Sequence, residues 1–198
     1  RFRSADVGVV FDLMIHDLDI IQHLAGSDIA RIEAVGVPVI SKYEDIANAR
    51  IVFESGCVAN LTSSRVSLKT LRKIRVFSPN CYVTIDTQAK EALIYRKGDG
   101  FDEVAEKLKD AGNLAMLAEM RKLVFGDLVH SEKVKLDDIE PLKAELESFA
   151  AAVIEDRAPE VPGEDGVKAV RTAFEVVQAR RRHLKDTGLD RFTLSPVG

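Results

Sequence analysis

The stretch IANARIVFESGCVANLTSSRVSL, residues 46–68, decides the fold class, because its residue types predict two strands joined by a tight turn. Val, Ile, Phe and Thr are frequent in residues 46–54 and 58–68, and such residues favour extended backbone. Ser55-Gly56 lies between the two runs and is a common tight-turn pair. Strands joined by so short a connection must run antiparallel, so the centre of the chain predicts an antiparallel sheet.

The same pattern continues on both sides of this hairpin. Further strands are predicted at residues 29–40, 73–77, 82–86, 92–96 and 129–136. Helices are predicted at residues 6–25, 141–155 and 164–185, with a helical insertion at residues 101–125. A helix followed by many antiparallel strands and then by more helices is typical of an α+β fold. We therefore expect one domain, residues 1–198, in which an open-faced, mainly antiparallel sheet (residues 29–97 plus 129–136) carries its helices on one face.

The composition excludes several classes of protein. Of the 198 residues, 46% are hydrophobic and 30% are charged, which is typical of a folded globular chain. The net charge of -4 argues against nucleic acid as a partner, because binding to a phosphate backbone usually needs a basic surface. No apolar run approaches the roughly 20 residues of a membrane helix, and no export signal is present. We expect a cytoplasmic protein in which Cys57 and Cys81 are reduced thiols.

The first predicted helix carries the residues most suited to chemistry, in the sequence VVFDLMIHDLDIIQHL at residues 9–24. At about 100° per residue, one face of a regular helix gathers, within an arc of about 60°, the side chains of Asp12, His16, Asp19 and His23. The rest of the circumference is mostly apolar, so the helix is predicted to be buried with its polar stripe facing a polar site. An Asp one turn from a His can orient the ring and favour its protonated form, and the His can then exchange a proton near neutral pH.

The spacing by itself leaves other interpretations open. A polar stripe on an amphipathic helix is more often a solvated face or a set of satisfied hydrogen bonds than a catalytic site. Asp and His four residues apart can also share a metal ion, but no third ligand group stands out in the sequence, so no metal site is expected.

Two segments resemble a known family. The string DLMIHDLD, residues 12–19, is similar to the D-x-x-x-H-x-x-D signature that opens the C-terminal domain of the glucose–fructose oxidoreductase, inositol dehydrogenase and rhizopine catabolism family. Residues 140–170, EPLKAELESFAAAVIEDRAPEVPGEDGVKAV, extend the resemblance along nearly the whole chain. The resemblance implies that His16 is the acid/base that moves a proton off or onto a sugar hydroxyl, and that Asp12 helps to place the substrate and to tune His16.

The resemblance also implies a nicotinamide cofactor, NAD or NADP, bound by an N-terminal Rossmann domain that carries a glycine-rich turn and a catalytic Lys in an E-K-P motif. Neither motif occurs in this sequence, and Gly98-Asp99-Gly100 is too short and badly spaced for a phosphate turn. We therefore expect the chain to be the C-terminal, substrate-facing half of an NAD(P)-dependent sugar oxidoreductase, with the Rossmann domain absent and no activity on its own. The alternative is a non-catalytic assembly or binding module whose Asp-His stripe is structural.

The stretch of residues 44–75 is most similar to the nucleotide-sugar branch of the family, which includes enzymes that oxidise the 3-hydroxyl of UDP-N-acetylglucosamine. The resemblance therefore implies a sugar or UDP-sugar substrate. Cations for a diphosphate could come from Arg65, Lys69, Arg72, Lys73 and Arg75. The alternative is a solvated sheet edge, where Lys and Arg discourage aggregation. The candidate substrate-binding residues are Arg3, Asp19 and Arg65.

The predicted sheet also indicates self-association. Its strands carry apolar residues on both faces, since Ile51 and Phe53 alternate with Val52, yet the helices can cover only one face. An uncovered apolar face usually marks a surface of association. We therefore expect a homodimer or homotetramer formed through the sheet.

Overall fold

The computed structural model describes residues 6–68, 71–109 and 128–189. The chain divides into two compact units, Arg1–Leu68 with Leu146–Gly198 and Lys69–Glu145. Arg3 and most of the predicted helical insertion, residues 110–125, lie outside the described residues. No helix in the described part of the chain is long and apolar enough to cross a membrane.

The elements follow the predicted order, and their bounds differ from the expected ones by a few residues. The strands are β1 (Ile29–Val37), β2 (Ile46–Phe53), β3 (Val58–Ser64), β4 (Lys73–Phe77), β5 (Cys81–Asp86), β6 (Glu91–Lys97) and β7 (Val129–Lys135). A π-turn (Val10–Met14) leads into α1 (Ile15–Ala25), and the later helices are α2 (Phe101–Lys109), α3 (Pro141–Ile154) and α4 (Gly163–Asp186). Antiparallel strands with helices before and after them confirm the predicted α+β class.

In the first unit, β1, β2 and β3 form an antiparallel sheet with β2 at its centre. Ser55-Gly56 closes the β2–β3 hairpin, and Gly56 has φ +84°, a left-handed conformation that favours glycine. Every second side chain of β2 is buried: Ala47, Ala49, Ile51 and Phe53. One face of this sheet therefore belongs to the core, and within the described part of the first unit no helix packs on the other face, called the open face below.

The core of the first unit lies between this sheet and the helices. α4 packs along β1, the π-turn contacts β3, and α1 lies against α4. The helical side contributes fully buried side chains from Val9, Val10, Met14, Leu18, Ala173 and Val176. Burial of each large apolar side chain contributes about 1.5–3 kcal/mol. The rings of Phe11 and Phe174 meet edge to face with their centroids 4.9 Å apart, which joins the start of the motif to α4.

In the second unit, β4, β5, β6 and β7 form a four-stranded antiparallel sheet in that order. Asp86 holds the turn between β5 and β6, because its carboxylate accepts hydrogen bonds from the backbone N–H groups of Gln88 and Ala89. Asp86 also pairs with Lys73 of β4 over 3.0 Å. The hydrogen bond from Ala89, and then the contact with Lys73, lower the pKa of Asp86.

The structure differs from the sequence prediction in the number of sheets. We expected one sheet through residues 29–97 plus 129–136, but the described strands pair in two sheets, β1–β3 and β4–β7. Side-chain patterning predicts each strand but not its partner. The tight turn at Ser55-Gly56 forces β2 and β3 together, whereas residues 65–72, between β3 and β4, are too long a connection to impose pairing.

Candidate functional site

The predicted motif helix consists of two segments with different geometry. Val10–Met14 is a π-turn, and the regular α-helix runs over Ile15–Ala25. Gly26, at φ +55°, ends this helix in the left-handed conformation that favours glycine. A π-turn closes i→i+5 hydrogen bonds and so adds one residue to a helical turn. Side chains on either side of it are displaced by about 100° from their places on a regular helix.

The four residues of the predicted polar stripe differ in exposure. Asp12 lies within the π-turn and is half-buried, whereas His16, near the start of α1, is exposed. Farther along α1, Asp19 is half-buried and His23 is exposed. The ring of His16 forms no hydrogen bond or ion pair with another described residue.

The start of the motif is fixed by a close approach at Gly8. The backbone N–H of Val9 donates to the carbonyl of Glu44 over 2.9 Å, and the N–H of Asp12 donates to the carbonyl of Gly8 over 3.1 Å. A Cβ at position 8 would overlap the carboxylate of Glu44, so a larger residue there would require the Glu44 side chain to shift. Glu44 is itself buried and pairs with Arg180 of α4 over 3.4 Å. The π-turn therefore begins on a rigid base.

Asp12 meets Arg65 rather than His16. The Oδ2 atom of Asp12 lies 3.9 Å from a terminal nitrogen of Arg65, and the same nitrogen donates to the carbonyl of Val7. The Nε atom of Arg65 lies 3.5 Å from Oδ1 of Asp45. The side chain of Arg65 is 8% exposed and that of Asp45 is 0% exposed. The structure thus brings together two predicted site residues, Asp12 and Arg65. It adds Asp45, which the sequence did not predict as part of the site.

Asp45 is a fully buried charge in the connection between β1 and β2. Its Oδ2 atom accepts hydrogen bonds from the backbone N–H groups of Val39, Ile40 and Ser41 over 2.7, 2.7 and 2.9 Å. Its Oδ1 atom accepts one from the Ser41 hydroxyl over 2.8 Å. Burial on its own would raise the pKa of Asp45, but these hydrogen bonds outweigh it and lower the pKa to about 2. Asp45 is therefore ionised at neutral pH and is a fixed negative partner for Arg65.

The other predicted cations on residues 69–75 belong to the second unit. Lys73 and Arg75 lie on β4 of the second unit, and the pairing of Lys73 with Asp86 favours the structural interpretation for that lysine. Arg3 and Lys69 lie outside the described residues.

Glu44 and Asp45 were not predicted as part of the site. The local signal is a pair of acidic residues directly before an apolar strand, a pattern that usually marks a solvated strand end. Their cationic partners, Arg180 and Arg65, come from distant parts of the sequence. Only the folded structure shows that both carboxylates are enclosed.

The open face of the first sheet forms a shallow surface on the side opposite the core. Across β2 and β3, Arg50 donates to Asn60 over 3.0 Å and Thr62 donates to Asn48 over 2.7 Å. Exposed valines border these pairs: Val35, Val37 and Val58. The surface therefore combines apolar side chains with polar groups that already satisfy one another.

The chain is similar to one protein family and to one curated enzyme. Residues 1–80 match the family model for the GFO/IDH/MocA C-terminal domain. Over 174 residues the chain is 31% identical to UDP-N-acetylglucosamine 3-dehydrogenase of Acidithiobacillus ferrooxidans, a match that covers 88% of this chain and 49% of that protein. The chain thus spans about half the length of the curated relative it matches.

Solved structures share the fold. A structure of the Acidithiobacillus ferrooxidans enzyme superposes with a TM-score of 0.72 at 31% identity, and the match covers 90% of this chain and 50% of that one. Levoglucosan dehydrogenase in complex with NADH superposes with a TM-score of 0.66 at 14% identity, covering 89% of this chain and 49% of that one. At 14% identity, the second likeness shows the fold alone.

Proposed function

Because this chain carries a C-terminal domain of the GFO/IDH/MocA family, we propose that it is the substrate-side half of an NAD(P)-dependent oxidoreductase. The complete enzyme transfers hydride between a sugar or nucleotide-sugar hydroxyl and the nicotinamide, and a domain not contained in this sequence binds most of the dinucleotide. The observation that carries the proposal is the exposed ring of His16, which follows a half-buried Asp12 that is anchored by Arg65.

His16 is the acid/base of the proposed reaction. Oxidation of a sugar alcohol removes a proton from oxygen and a hydride from carbon, and the nicotinamide, when bound, accepts the hydride. The imidazole of His16 accepts the proton from the hydroxyl as the carbonyl forms, and it returns that proton in the reverse direction. An exposed ring with no partner among the described residues is free for this exchange.

A nucleotide sugar is the proposed substrate class. Its support is the 31% identity with a UDP-N-acetylglucosamine 3-dehydrogenase over 88% of the chain. We assign Asp19 and Arg3 as substrate contacts, because a carboxylate accepts hydrogen bonds from sugar hydroxyls and an arginine suits a diphosphate. Asp19 lies one turn beyond His16 on α1 and is half-buried, which places a carboxylate near the proposed acid/base.

We place the enzyme in the cytoplasm. The support is that Cys57 and Cys81 form no disulfide, and a reducing compartment keeps thiols free.

A direct assay of the complete enzyme tests the proposed function. UDP-N-acetylglucosamine should reduce NAD⁺ or NADP⁺, which the absorbance of the reduced nicotinamide reports. Mass spectrometry should show a sugar product that has lost two hydrogen atoms. A lack of turnover with a panel of free and UDP-linked sugars would contradict the proposal.

The isolated 198-residue chain should bind NADH too weakly to detect at micromolar concentration, and it should not oxidise sugars. The reason is that it has neither a glycine-rich phosphate turn nor an E-K-P lysine. Isothermal titration calorimetry with NADH measures this directly. Micromolar affinity would mean that this half of the enzyme holds a dinucleotide site of its own, contrary to the proposed division between the two halves.

We also propose that the protein forms a homodimer or homotetramer through the open face of the first sheet. Among the described residues of the first unit, the helices pack against the other face of that sheet. On the open face, Val35 is 40% exposed, Val37 is 49% exposed and Val58 is 41% exposed. A two-fold axis through this face would bury the valines of both copies against each other.

Val37→Lys should dissociate this oligomer, because an unpaired charge in a buried interface is costly to desolvate. Sedimentation velocity at micromolar concentration should show a dimer or tetramer for the wild type and a monomer for the variant. Val161→Lys, at a 65% exposed position just before α4, is the matched control and should leave the oligomer unchanged. A monomeric wild type, or an oligomer that survives Val37→Lys, would rule out this interface.

A further inference from the structure

Arg65 connects the motif to a fixed point in the first unit. Its side chain is 8% exposed, although the residue lies just beyond the end of β3. Its guanidinium lies between the carboxylates of Asp12 and Asp45 and donates to the carbonyl of Val7. Arg65 thus links β3 with the β1–β2 connection and with the residues before and within the π-turn.

Asp45 makes this link rigid. Three backbone N–H groups and the Ser41 hydroxyl hold its carboxylate, so it cannot rotate away without losing all of these bonds. The Nε side of Arg65 therefore faces a fixed negative charge, and its outer nitrogen presents positive charge to Asp12 over 3.9 Å. The side chain of Asp12 is 27% exposed, and without Arg65 it would be free to change rotamer.

We propose that Arg65 is a positioning residue that holds the Asp12 carboxylate in one orientation, so that Asp12 places the sugar beside His16 for proton transfer. This inference rests on the proposed acid/base role of His16. The contacts of Asp12 support it, because its carboxylate pairs with Arg65, whereas the His16 ring forms no hydrogen bond or ion pair with another described residue that could orient it. Direct contact with a diphosphate, the role expected from the sequence, is the rival, and it requires Arg65 to exchange two carboxylates for the substrate.

A double-mutant cycle in the complete enzyme, with UDP-N-acetylglucosamine and the oxidised nicotinamide as substrates, tests this role. Arg65→Gln should lower kcat about 10-fold while the KM for the nucleotide sugar changes by less than about 2-fold. In the Asp12→Asn background the same substitution should have little further effect, because a residue that acts through Asp12 loses its influence once that carboxylate is gone. Arg157→Gln, at a partly exposed arginine paired with Glu155, is the matched control and should leave both constants unchanged.

The outcomes separate the two roles of Arg65. If the kcat losses of Arg65→Gln and Asp12→Asn multiply in the double variant, the positioning role is overturned. If Arg65→Gln instead raises the KM for the nucleotide sugar strongly and leaves kcat unchanged, direct diphosphate contact replaces it. If Arg65→Gln does not fold, Arg65→Lys replaces it, because lysine keeps the charge but not the guanidinium fork. The fall in kcat that Arg65→Lys causes should likewise disappear in the Asp12→Asn background.

His16→Ala, measured beside these variants, distinguishes failure of this inference from failure of the proposed function. Normal turnover in His16→Ala would reject the acid/base role itself. Lost turnover in His16→Ala, combined with an Arg65 effect that persists without Asp12, would reject only the positioning role.

Discussion

His16→Ala should lower the rate of sugar oxidation by the complete enzyme about 10²–10⁴-fold, the usual effect of removing a positioned acid/base. His16 is exposed on α1 and forms no hydrogen bond with another described residue, so its removal opens no cavity and leaves no buried group unsatisfied. The melting temperature should therefore stay close to that of the wild type. Steady-state rates at saturating UDP-N-acetylglucosamine and a thermal melt measure the two effects together.

His23→Ala is the matched control for this variant, because His23 is also exposed on α1. Its loss should leave the rate unchanged. Equal losses for both histidines would show that the effect is not specific to position 16. The non-catalytic alternative makes the opposite prediction for His16→Ala, namely a lower melting temperature with a near-normal rate in the protein that stays folded.

The elements of the fold could be predicted because they depend on local sequence. β4 covers Lys73–Phe77 as expected, since Ile74, Val76 and Phe77 favour extended backbone and Ser78-Pro79-Asn80 marks a turn, without any knowledge of the neighbouring strands. Ser55-Gly56 likewise determines the β2–β3 hairpin, because the turn and both strands are adjacent in the sequence. The division into two sheets was not predictable in this way, because it depends on which strands pair across longer connections.

The candidate site could be predicted only in part. The motif identifies Asp12 and His16 as the residues to examine, but a regular helix was assumed in placing them on one face. Asp12 instead lies in a π-turn that begins where Gly8 meets Glu44, a contact between segments that are far apart in the sequence. Arg65 was a candidate cation for a diphosphate, and the sequence did not predict the two carboxylates, Asp12 and Asp45, that lie beside it.

Asp45 belongs to the candidate site although it lies outside the motif of residues 12–19. Hydrogen bonds from the Val39, Ile40 and Ser41 N–H groups and the Ser41 hydroxyl overcome the effect of burial and lower the pKa of Asp45 from 3.8 to about 2. A carboxyl group with a lower pKa in the folded state than in the unfolded state stabilises the fold when the pH is above its unfolded-state pKa. This stabilisation is lost as the pH falls through its folded-state pKa. The stability that Asp45 contributes is therefore lost between about pH 4 and about pH 2. Above about pH 4 the ionised carboxylate adds about 2 kcal/mol to the free energy of unfolding.

Asp45→Asn should therefore lower the free energy of unfolding by about 2 kcal/mol at pH 7. The amide keeps the shape of the side chain and one oxygen for the backbone N–H groups, but it loses the charge that strengthens those bonds and that faces Arg65. Urea denaturation should show the difference between variant and wild type shrinking below about 1 kcal/mol near pH 2.5, where the wild-type carboxyl begins to take up a proton. Asp28→Asn, at an exposed position between α1 and β1, should change the free energy of unfolding by less than about 0.5 kcal/mol. If Asp45→Asn were as mild as Asp28→Asn, or equally destabilising at pH 7 and pH 2.5, the buried charge would not be what holds the β1–β2 connection and Arg65 in place.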